Sequence, residues 1–295
     1  MTSSTRDRLA LFFGVERTRP ALLARAALGA ESPGDTELRQ ALVAQLEAGI
    51  RPDGSVGGAA LPTIWRIHEL CDLGRRENDP SIRALMRWVL ALQGLPGAFG
   101  EGCDKERHAK RACEHYIQGF FSPGPQGVRL APLTFPNGKV FRAEPAARFA
   151  LSCLALRAAL RTGGADRPLV DRHIRSLATL AAGWNTWSGF FAPDTVVAGL
   201  HALAQAGPAQ QPVVASLVAL VIANQVESGD WPSADLFHTL EALMATGLPD
   251  ARAAVARAAP ALAARQRADG TFGGMAQQER ALIGLRAQLW GRESP

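Results

Sequence analysis

Two aspartates and a histidine in this chain are residue types that move protons. Asp194 follows Phe-Phe-Ala-Pro and Asp235 follows Pro-Ser-Ala, each directly before a helix-like run, and His238 lies one turn into the second run. Carboxylates and imidazoles often act as general acids and bases. A carboxylate at a helix start can equally cap the free backbone N–H groups there and is stabilised by the helix dipole. The three residues therefore predict a convergent catalytic acid–base set, with helix capping as the alternative for both aspartates.

A second cluster contains residue types that bind metal ions, namely Cys103, His108, Cys113 and His115. On a helix His108 and His115 would share one face, whereas Cys113 would point about 140° away from His108. The spacing Cys-x4-His-x4-Cys-x-His also differs from those of familiar zinc sites. The cofactor is therefore unknown at this point: a divalent metal on these four residues remains open, and ordinary packing or surface positions are the alternative.

Basic residues concentrate near the same part of the chain, including Lys105, Lys110, Lys139 and Arg142, although the formal net charge of the protein is only +5. Acidic residues are interleaved with the first of them, which is typical of a solvated helical face. The alternative is a cavity mouth that attracts a phosphate or diphosphate, with Lys139 and Arg142 in contact with the substrate. No recognition motif accompanies these charges, so we predict no nucleic-acid partner.

The elements that must position these residues are marked by glycines that recur along the chain. The glycines are Gly54, Gly97, Gly138, Gly189, Gly229 and Gly270, at successive gaps of 40 to 51 residues. Three of them share the pattern Gln, three residues, Gly, one residue, aromatic, in Gln93–Phe99, Gln225–Trp231 and Gln266–Phe272. A period in this range indicates a repeat architecture, in which each unit buries its apolar face against its neighbours.

The segments between the glycines have helical periodicity. Helix pairs are expected at 37–48 with 63–73, 81–92 with 106–117, 169–182 with 195–206, 214–225 with 235–244 and 251–266 with 277–290, and a further long helix at 144–161. Strand-like alternation is nearly absent. The sequence therefore predicts an all-α protein of about six repeats, completed by N-terminal helices within residues 1–35.

The segment from residue 101 to residue 141 departs from the repeat. It is rich in Pro and Gly and leaves no room for an outer helix before Gly138. Either the third repeat has lost its outer helix or the segment is an insertion within the second repeat, and we favour the insertion. Long irregular segments are often lids or binding loops. We therefore expect residues 101–141 to cover or line the mouth of a central cavity.

The motif of Gln, Gly and an aromatic residue that joins the paired helices resembles the QW repeat of class II terpenoid cyclases and the related loops of protein prenyltransferase β subunits. The resemblance covers about residues 36 to 290. It implies an α/α toroid, in which inner helices surround a cavity that holds an isoprenoid or another apolar substrate. The inner-helix aromatics Trp65, Phe149 and Phe237 would then contact the substrate and stabilise cationic intermediates.

The resemblance also gives two precedents for the site. Asp235-Leu-Phe-His238-Thr is similar to the Asp-x-x-His-Thr of prenyltransferase β subunits, whose histidine binds zinc, but Val196 stands where those subunits have a cysteine ligand. Class II cyclases protonate their substrate from an Asp-x-Asp-Asp string, which this chain lacks. Asp194, Asp235 and His238 are therefore the residues expected to serve as acid and base.

Composition fits one toroid domain over residues 1–295. The chain is 47% hydrophobic with no run of 18 apolar residues and no apolar signal core at its N-terminus, and its four cysteines show no paired framework. These features predict a cytoplasmic protein. Peripheral membrane contact and the oligomeric state stay open.

Two classes of function remain after these considerations. We favour a cyclase-like enzyme that binds an isoprenoid or other small apolar substrate and carries out acid-initiated cyclisation or isomerisation. The alternatives are a non-catalytic ligand-binding or scaffold toroid and a metal-dependent enzyme that uses the Cys and His cluster.

Overall fold

The computed structural model describes residues 5–92, 99–102, 116–118, 129–164, 167–189 and 192–292 of the chain. The metal candidates Cys103, His108, Cys113 and His115 lie outside these residues, as does Gly97. Of the helices described, none is both long enough and apolar enough to cross a membrane.

Helices form most of the described chain. They are α1 (Thr5–Val15), α2 (Arg19–Leu28), α3 (Asp35–Ala48), α4 (Ala60–Asp72), α5 (Pro80–Ala91), α6 (Glu144–Arg161), α7 (Pro168–Ala181), α8 (Asp194–Leu203), α9 (Gln211–Ala223), α10 (Leu236–Thr246), α11 (Pro249–Arg257), α12 (Ala259–Arg265) and α13 (Gln277–Trp290), with a short 3₁₀ turn at Pro208–Gln210. The strands β1 (Gly100–Gly102) and β2 (Tyr116–Gln118) pair antiparallel, as do β3 (Leu133–Thr134) and β4 (Val140–Phe141).

The helices form two concentric rings. The inner ring is α2, α4, α6, α8, α10 and α13, and each of these helices packs against the next, with α13 returning to α2. The outer ring is α1, α3, α5, α7, α9 and the broken pair α11 and α12. The structure therefore confirms the predicted α/α toroid of alternating outer and inner helices.

The glycine motif forms the turn between an outer helix and the inner helix that follows. Gly54, Gly189, Gly229 and Gly270 all have φ between +83° and +113°, a range that glycine adopts without a Cβ penalty. Gln225 Nε2 donates to Gly229 O within its own turn at 3.0 Å and to Ala254 O in the next outer helix at 2.9 Å. Gln225 thus links its turn to the neighbouring repeat.

Residues 99–143 connect the outer helix α5 to the inner helix α6. The predicted helix over 106–117 differs from the structure at its C-terminal end, because Tyr116–Gln118 pairs with Gly100–Gly102 as a strand. The remainder of that helix lies outside the described residues. The inner partner that follows α5 in the ring is therefore α6, which begins at Glu144.

The hairpin formed by β3, β4 and residues 135–139 lies against the N-terminal ends of three inner helices. Phe135 N donates to Lys139 O and Gly138 N to Phe135 O, both at 2.8 Å, which repeats the hydrogen bonds of the outer-to-inner turns. Contacts from Lys139 reach α8, and those from Asn137 reach α10 and α13. Since Phe135 and Phe141 are buried, the hairpin is packed into this end of the inner ring.

Candidate functional site

A cavity of about 330 Å³ lies among the inner helices. Its wall includes an apolar side made by Trp65, Met244, Ala245, Leu282 and Ile283. The polar side chains around it are Arg19, His68, Asp72, Arg157, Arg161, His201, Gln205, Glu241, Glu279 and Arg286. The volume is at the small end of the range for ligand sites, and the polar lining is much denser than in a site for a pure hydrocarbon.

Ion pairs organise one wall of the cavity. Arg19, the first residue of α2, pairs with Asp72 of α4 and with Glu279 of α13. Arg161 Nη2 lies 2.6 Å from Asp72 Oδ1. These contacts join four inner helices through two arginines and two carboxylates, so both carboxylates are already neutralised by cations.

His68 positions one of these arginines. Its Nε2 lies 3.1 Å from Leu154 O and therefore donates to that carbonyl, while its Nδ1 accepts from Arg161 Nη1 at 3.2 Å. Burial, followed by the charges of Arg157 and Arg161, holds the pKa of His68 well below its usual value. The ring is therefore neutral, with both nitrogens engaged, and it orients Arg161 rather than carrying protons.

Glu241 differs from the other two carboxylates of the cavity. It lies on α10, and its Oε2 accepts a hydrogen bond from Asn137 Nδ2 of the hairpin at 2.8 Å. No described residue forms an ion pair with it, whereas Asp72 and Glu279 are both paired to arginine. Glu241 is consequently the cavity carboxylate best placed to exchange a proton with a ligand.

Two buried histidines, His201 and His238, lie side by side on adjacent inner helices. The ring centroids of His201 and His238 are 6.5 Å apart. Asn137 Nδ2 lies 3.3 Å from His238 Nδ1, which must accept, so the ring proton is on Nε2. In the described part of the chain, His238 Nε2 and His201 Nδ1 have no hydrogen-bond partner. Of the two residues only His201 lines the cavity, so its ring is the one that a bound molecule can approach for a hydrogen bond.

Both histidines are neutral at physiological pH. Burial, with smaller contributions from the charges of Lys139 and Arg157, lowers the pKa of His238 to about 3. Burial also holds the pKa of His201 well below its usual value, and Arg157 adds to the effect. His201 lines the cavity whereas His238 is not part of its wall. In this state the rings can donate or accept a hydrogen bond but do not supply a proton from an imidazolium.

The predicted acids Asp194 and Asp235 each lie beside a cation at the hairpin. Asp194 Oδ1 is 2.5 Å from Lys139 Nζ. Asp235 Oδ2 is 3.0 Å from Arg280 Nη2, and its Oδ1 accepts from His238 N at 3.0 Å as the N-cap of α10. Neither aspartate lines the cavity. The structure brings Asp235 and His238 together through this cap, and it places both carboxylates in contacts that hold the hairpin and the helix ends.

The predicted substrate-binding residues are spread over several environments. Trp65 lines the cavity, with the Arg19 guanidinium 5.4 Å from its ring centroid. Phe149 packs between Phe99 and Trp184, Phe237 packs on Phe272, Lys139 pairs with Asp194, and Arg142 is exposed. Trp65 is thus the one of these five that the structure places at the cavity. Within the described ranges, no group of three or more His, Cys, Asp or Glu side chains could hold a metal ion.

Sequence reasoning missed Arg157, His201 and Glu241 at the cavity. A usable signal exists, because each lies on an inner helix whose other residues are mostly apolar. His201 and Glu241 also lie twelve residues after the turn glycines Gly189 and Gly229, which puts them at equivalent positions in adjacent repeats. A polar residue at a repeated inner position predicts a ring-facing side chain.

The comparisons with known proteins bear on the fold. No family model matches the chain, and no curated protein matches it. A solved structure that is similar to it is that of the type II terpene cyclase MstE from Scytonema, an aspartate-to-asparagine variant in complex with its substrate, geranylgeranyl dihydroxybenzoate. The two share 18% sequence identity with a TM-score of 0.52, over 87% of this chain and 70% of that one. This likeness shows a terpene cyclase-like fold.

Proposed function

We propose that this protein is an enzyme with a terpene cyclase-like fold that acts on a small molecule in its central cavity by proton transfer. The observation that carries the proposal is the environment of Glu241, an inward-facing carboxylate without an ion pair in the described structure. The amide of Asn137 donates a hydrogen bond to it, and the ring of His201 lines the same cavity. A base or acid in a cavity of this kind can act on a carbon atom of a bound molecule.

The shape and polarity of the cavity define the substrate class. A volume of about 330 Å³ suits a short molecule, and the apolar side at Trp65, Leu282 and Ile283 suits a small isoprenoid or similar hydrocarbon group. Arg157, His201 and Gln205 also line the cavity, and each has a buried polar atom without a hydrogen-bond partner in the described part of the chain, which a polar group of a ligand can satisfy. We therefore propose a short isoprenoid, or another small apolar unit, that carries a polar head group.

The proposed reaction is an isomerisation or cyclisation that begins with proton transfer at Glu241. For an isomerisation, the carboxylate removes a proton from a carbon atom next to a carbonyl or a double bond and returns it to another carbon of the same substrate, so that no other reactant is consumed. Neutral His201 can donate a hydrogen bond to the substrate oxygen on which negative charge develops. The sequence-predicted Asp194, Asp235 and His238 act on this site indirectly, since they hold the hairpin and Asn137 beside Glu241.

We propose that residues 101–141 cover the central cavity on the side where the inner helices begin. The support comes from their described part, in which the hairpin lies across the N-terminal ends of α8, α10 and α13. A cover that excludes water would strengthen hydrogen bonds to the substrate inside. Asn137 links this cover directly to Glu241.

Deuterium incorporation tests the proposed function. Purified protein is incubated in deuterated buffer with dimethylallyl and geranyl alcohols, their phosphates and the corresponding carboxylic acids. The masses of the recovered compounds are then measured by mass spectrometry. We expect one or more of these compounds to gain deuterium at carbon, and Glu241→Gln to slow the gain by about a hundredfold or more, since general acid–base groups contribute that much. Glu37→Gln, an exposed change on the outer helix α3, is the matched control.

The missing Asp-x-Asp-Asp string favours one competing function, a toroid that binds its ligand without reaction. In that case a compound would bind to the protein and gain no deuterium. Equal rates for the wild type and Glu241→Gln would also contradict the proposal.

A further inference from the structure

Arg157 is a half-buried arginine of the inner ring that has no hydrogen-bond or ion-pair partner among the described residues. It lies on α6 and lines the cavity, so its side chain is half-buried while its Nε atom is wholly buried. In the described part of the chain its guanidinium makes no hydrogen bond and no ion pair. Arg19 and Arg161, which line the same cavity, are both paired to carboxylates.

An unpaired guanidinium in this place is costly for the folded protein. The group has five N–H donors and stays charged at physiological pH, and burial with too few hydrogen bonds disfavours a charge. Burial lowers the pKa of Arg157 to about 10, against the opposing charge of Glu241, so the cation persists near neutral pH. A bound anion would supply both the charge and the acceptors that the protein itself does not provide.

The surface next to the cavity carries the same charge. A second, more open groove of about 540 Å³ is lined by Arg6, Arg286, Arg292 and Trp290 and shares Met244 and Arg286 with the cavity wall. We call it the basic groove. Arginines along an approach path raise the local concentration of anions. The basic groove therefore adjoins the cavity that contains Arg157, and Arg286 lines both.

We propose that Arg157 binds the anionic group of the substrate, a carboxylate or a phosphate, within the central cavity. A guanidinium can bind either group through two parallel hydrogen bonds. Asp72 and Glu279 do not compete for Arg157, because Arg19 and Arg161 occupy them. This inference rests on the proposed function for the location of the site, and it adds that the polar head of the substrate is negatively charged.

Calorimetric titration of the full chain with inorganic pyrophosphate and with succinate tests the inference and separates its two anion types. We expect the wild type to bind one of them and Arg157→Met to weaken that binding by about 30-fold or more, the usual loss when one partner of a buried charged pair is removed. Arg157→Lys keeps the charge but loses the two-pronged geometry, so it should bind with intermediate affinity. Arg87→Met, an exposed change on the outer helix α5, should bind like the wild type.

The outcome does not depend on whether Arg157→Met is less stable. Methionine removes an unpaired buried charge, so we expect its melting temperature to equal or exceed that of the wild type. If it does not fold, Arg157→Lys carries the test. Unchanged affinity in the Arg157 variants that fold, or no binding of either anion by the wild type at millimolar concentration, would overturn the inference.

Glu241→Gln separates this inference from the proposed function. It should bind the anion at least as well as the wild type, because it removes a negative charge near Arg157. If anion binding depends on Arg157 and no deuterium exchange is found, the site is a binding site and the proposed reaction is wrong. If deuterium exchange depends on Glu241 but anion affinity is unchanged in the Arg157 variants, the proposed reaction is supported and the proposed anion site is wrong.

Discussion

The interior of the ring contains histidines that stay neutral. His68, His201 and His238 are all buried on inner helices, and burial is the largest cause that lowers the pKa of each. An imidazole that cannot take up a proton serves as a hydrogen-bond donor or acceptor. These residues therefore set the direction of hydrogen bonds around the cavity, whereas arginines and carboxylates supply its charge.

His238 makes a testable contribution to acid sensitivity. Its pKa is about 3 in the folded protein and near its ordinary value of 6.5 when unfolded. Because only the unfolded chain binds the proton between these values, the folded state loses stability as the pH falls from about 6.5 toward 3. We expect His238→Gln to reduce the slope of unfolding free energy against pH by about 1.4 kcal/mol per pH unit near pH 5.

Urea unfolding at several pH values between neutral and mildly acid measures this slope. The substitution also changes packing and the contact to Asn137, so the comparison concerns slopes and not absolute stabilities. At mildly alkaline pH both proteins should have the same slope, which is the internal control. Parallel curves throughout the acid range would show that His238 is protonated in the folded protein.

At the scale of the elements, the turn glycines determine how closely successive repeats approach. Gly270 has φ +87°, and a Cβ added there would lie 2.7 Å from Arg8 O of α1. Gly273, in the same turn, has φ +78° and no atom within 4 Å of an added Cβ. A side chain would be strained by the positive φ at both positions, but only at Gly270 would it also meet the neighbouring repeat. Comparing the two variants therefore separates the cost of the positive φ from the cost of the close contact.

We expect Gly270→Ala to lower the free energy of unfolding more than Gly273→Ala, by about 1 to 3 kcal/mol, the usual cost of overpacking. Both variants also have the positive-φ cost of about 1 to 2 kcal/mol. Chemical denaturation of the two variants and the wild type gives the difference. Equal losses of unfolding free energy in the two variants would mean that the close approach of Gly270 to α1 adds no cost.

At the scale of the whole molecule, the ring closes through the first helix. Gln266 Nε2 donates to Thr5 O and to Gly270 O, both at 3.0 Å, and Gln266 Oε1 accepts from Arg8 Nε at 2.9 Å. Gln225 makes the corresponding contacts between two internal repeats. The last turn of the chain therefore binds α1 in the same way as the Gln225 turn binds α11.

This equivalence predicts that Gln266→Ala and Gln225→Ala each cost about 1 to 3 kcal/mol, because each leaves backbone carbonyls without their donor. The two differ in where protection from hydrogen exchange is lost. Gln266→Ala should expose the amides of α1, whereas Gln225→Ala should affect α11. If Gln266→Ala leaves the exchange of α1 unchanged, the ring is not closed by this contact.

Much of the fold could be predicted from the sequence because its signals are local. A positive φ at Gly229 and the helical periodicity on either side of it depend on neighbours within a few residues. The same local terms give the N-terminal helices, which the structure places at Thr5–Val15 and Arg19–Leu28. Local signals fail at residues 116–118, which form a strand paired with residues 100–102. This pairing joins residues that are more than ten positions apart, so helical periodicity does not reveal it.

The site itself was decided by the tertiary structure. The sequence by itself determined that helices alternate around repeated turns, and it offered capping by Asp235 as the alternative to catalysis, since a cap needs only the next few residues. Which side chains line the cavity depends on how each inner helix is rotated against helices far away in sequence. Because of that rotation, Asp72 and Glu279 form ion pairs with an arginine of another helix, whereas Glu241 has no ion pair among the described residues. The rotation also leaves Arg157 without a partner among these residues, since ion pairs across the ring depend on packing over long sequence distances.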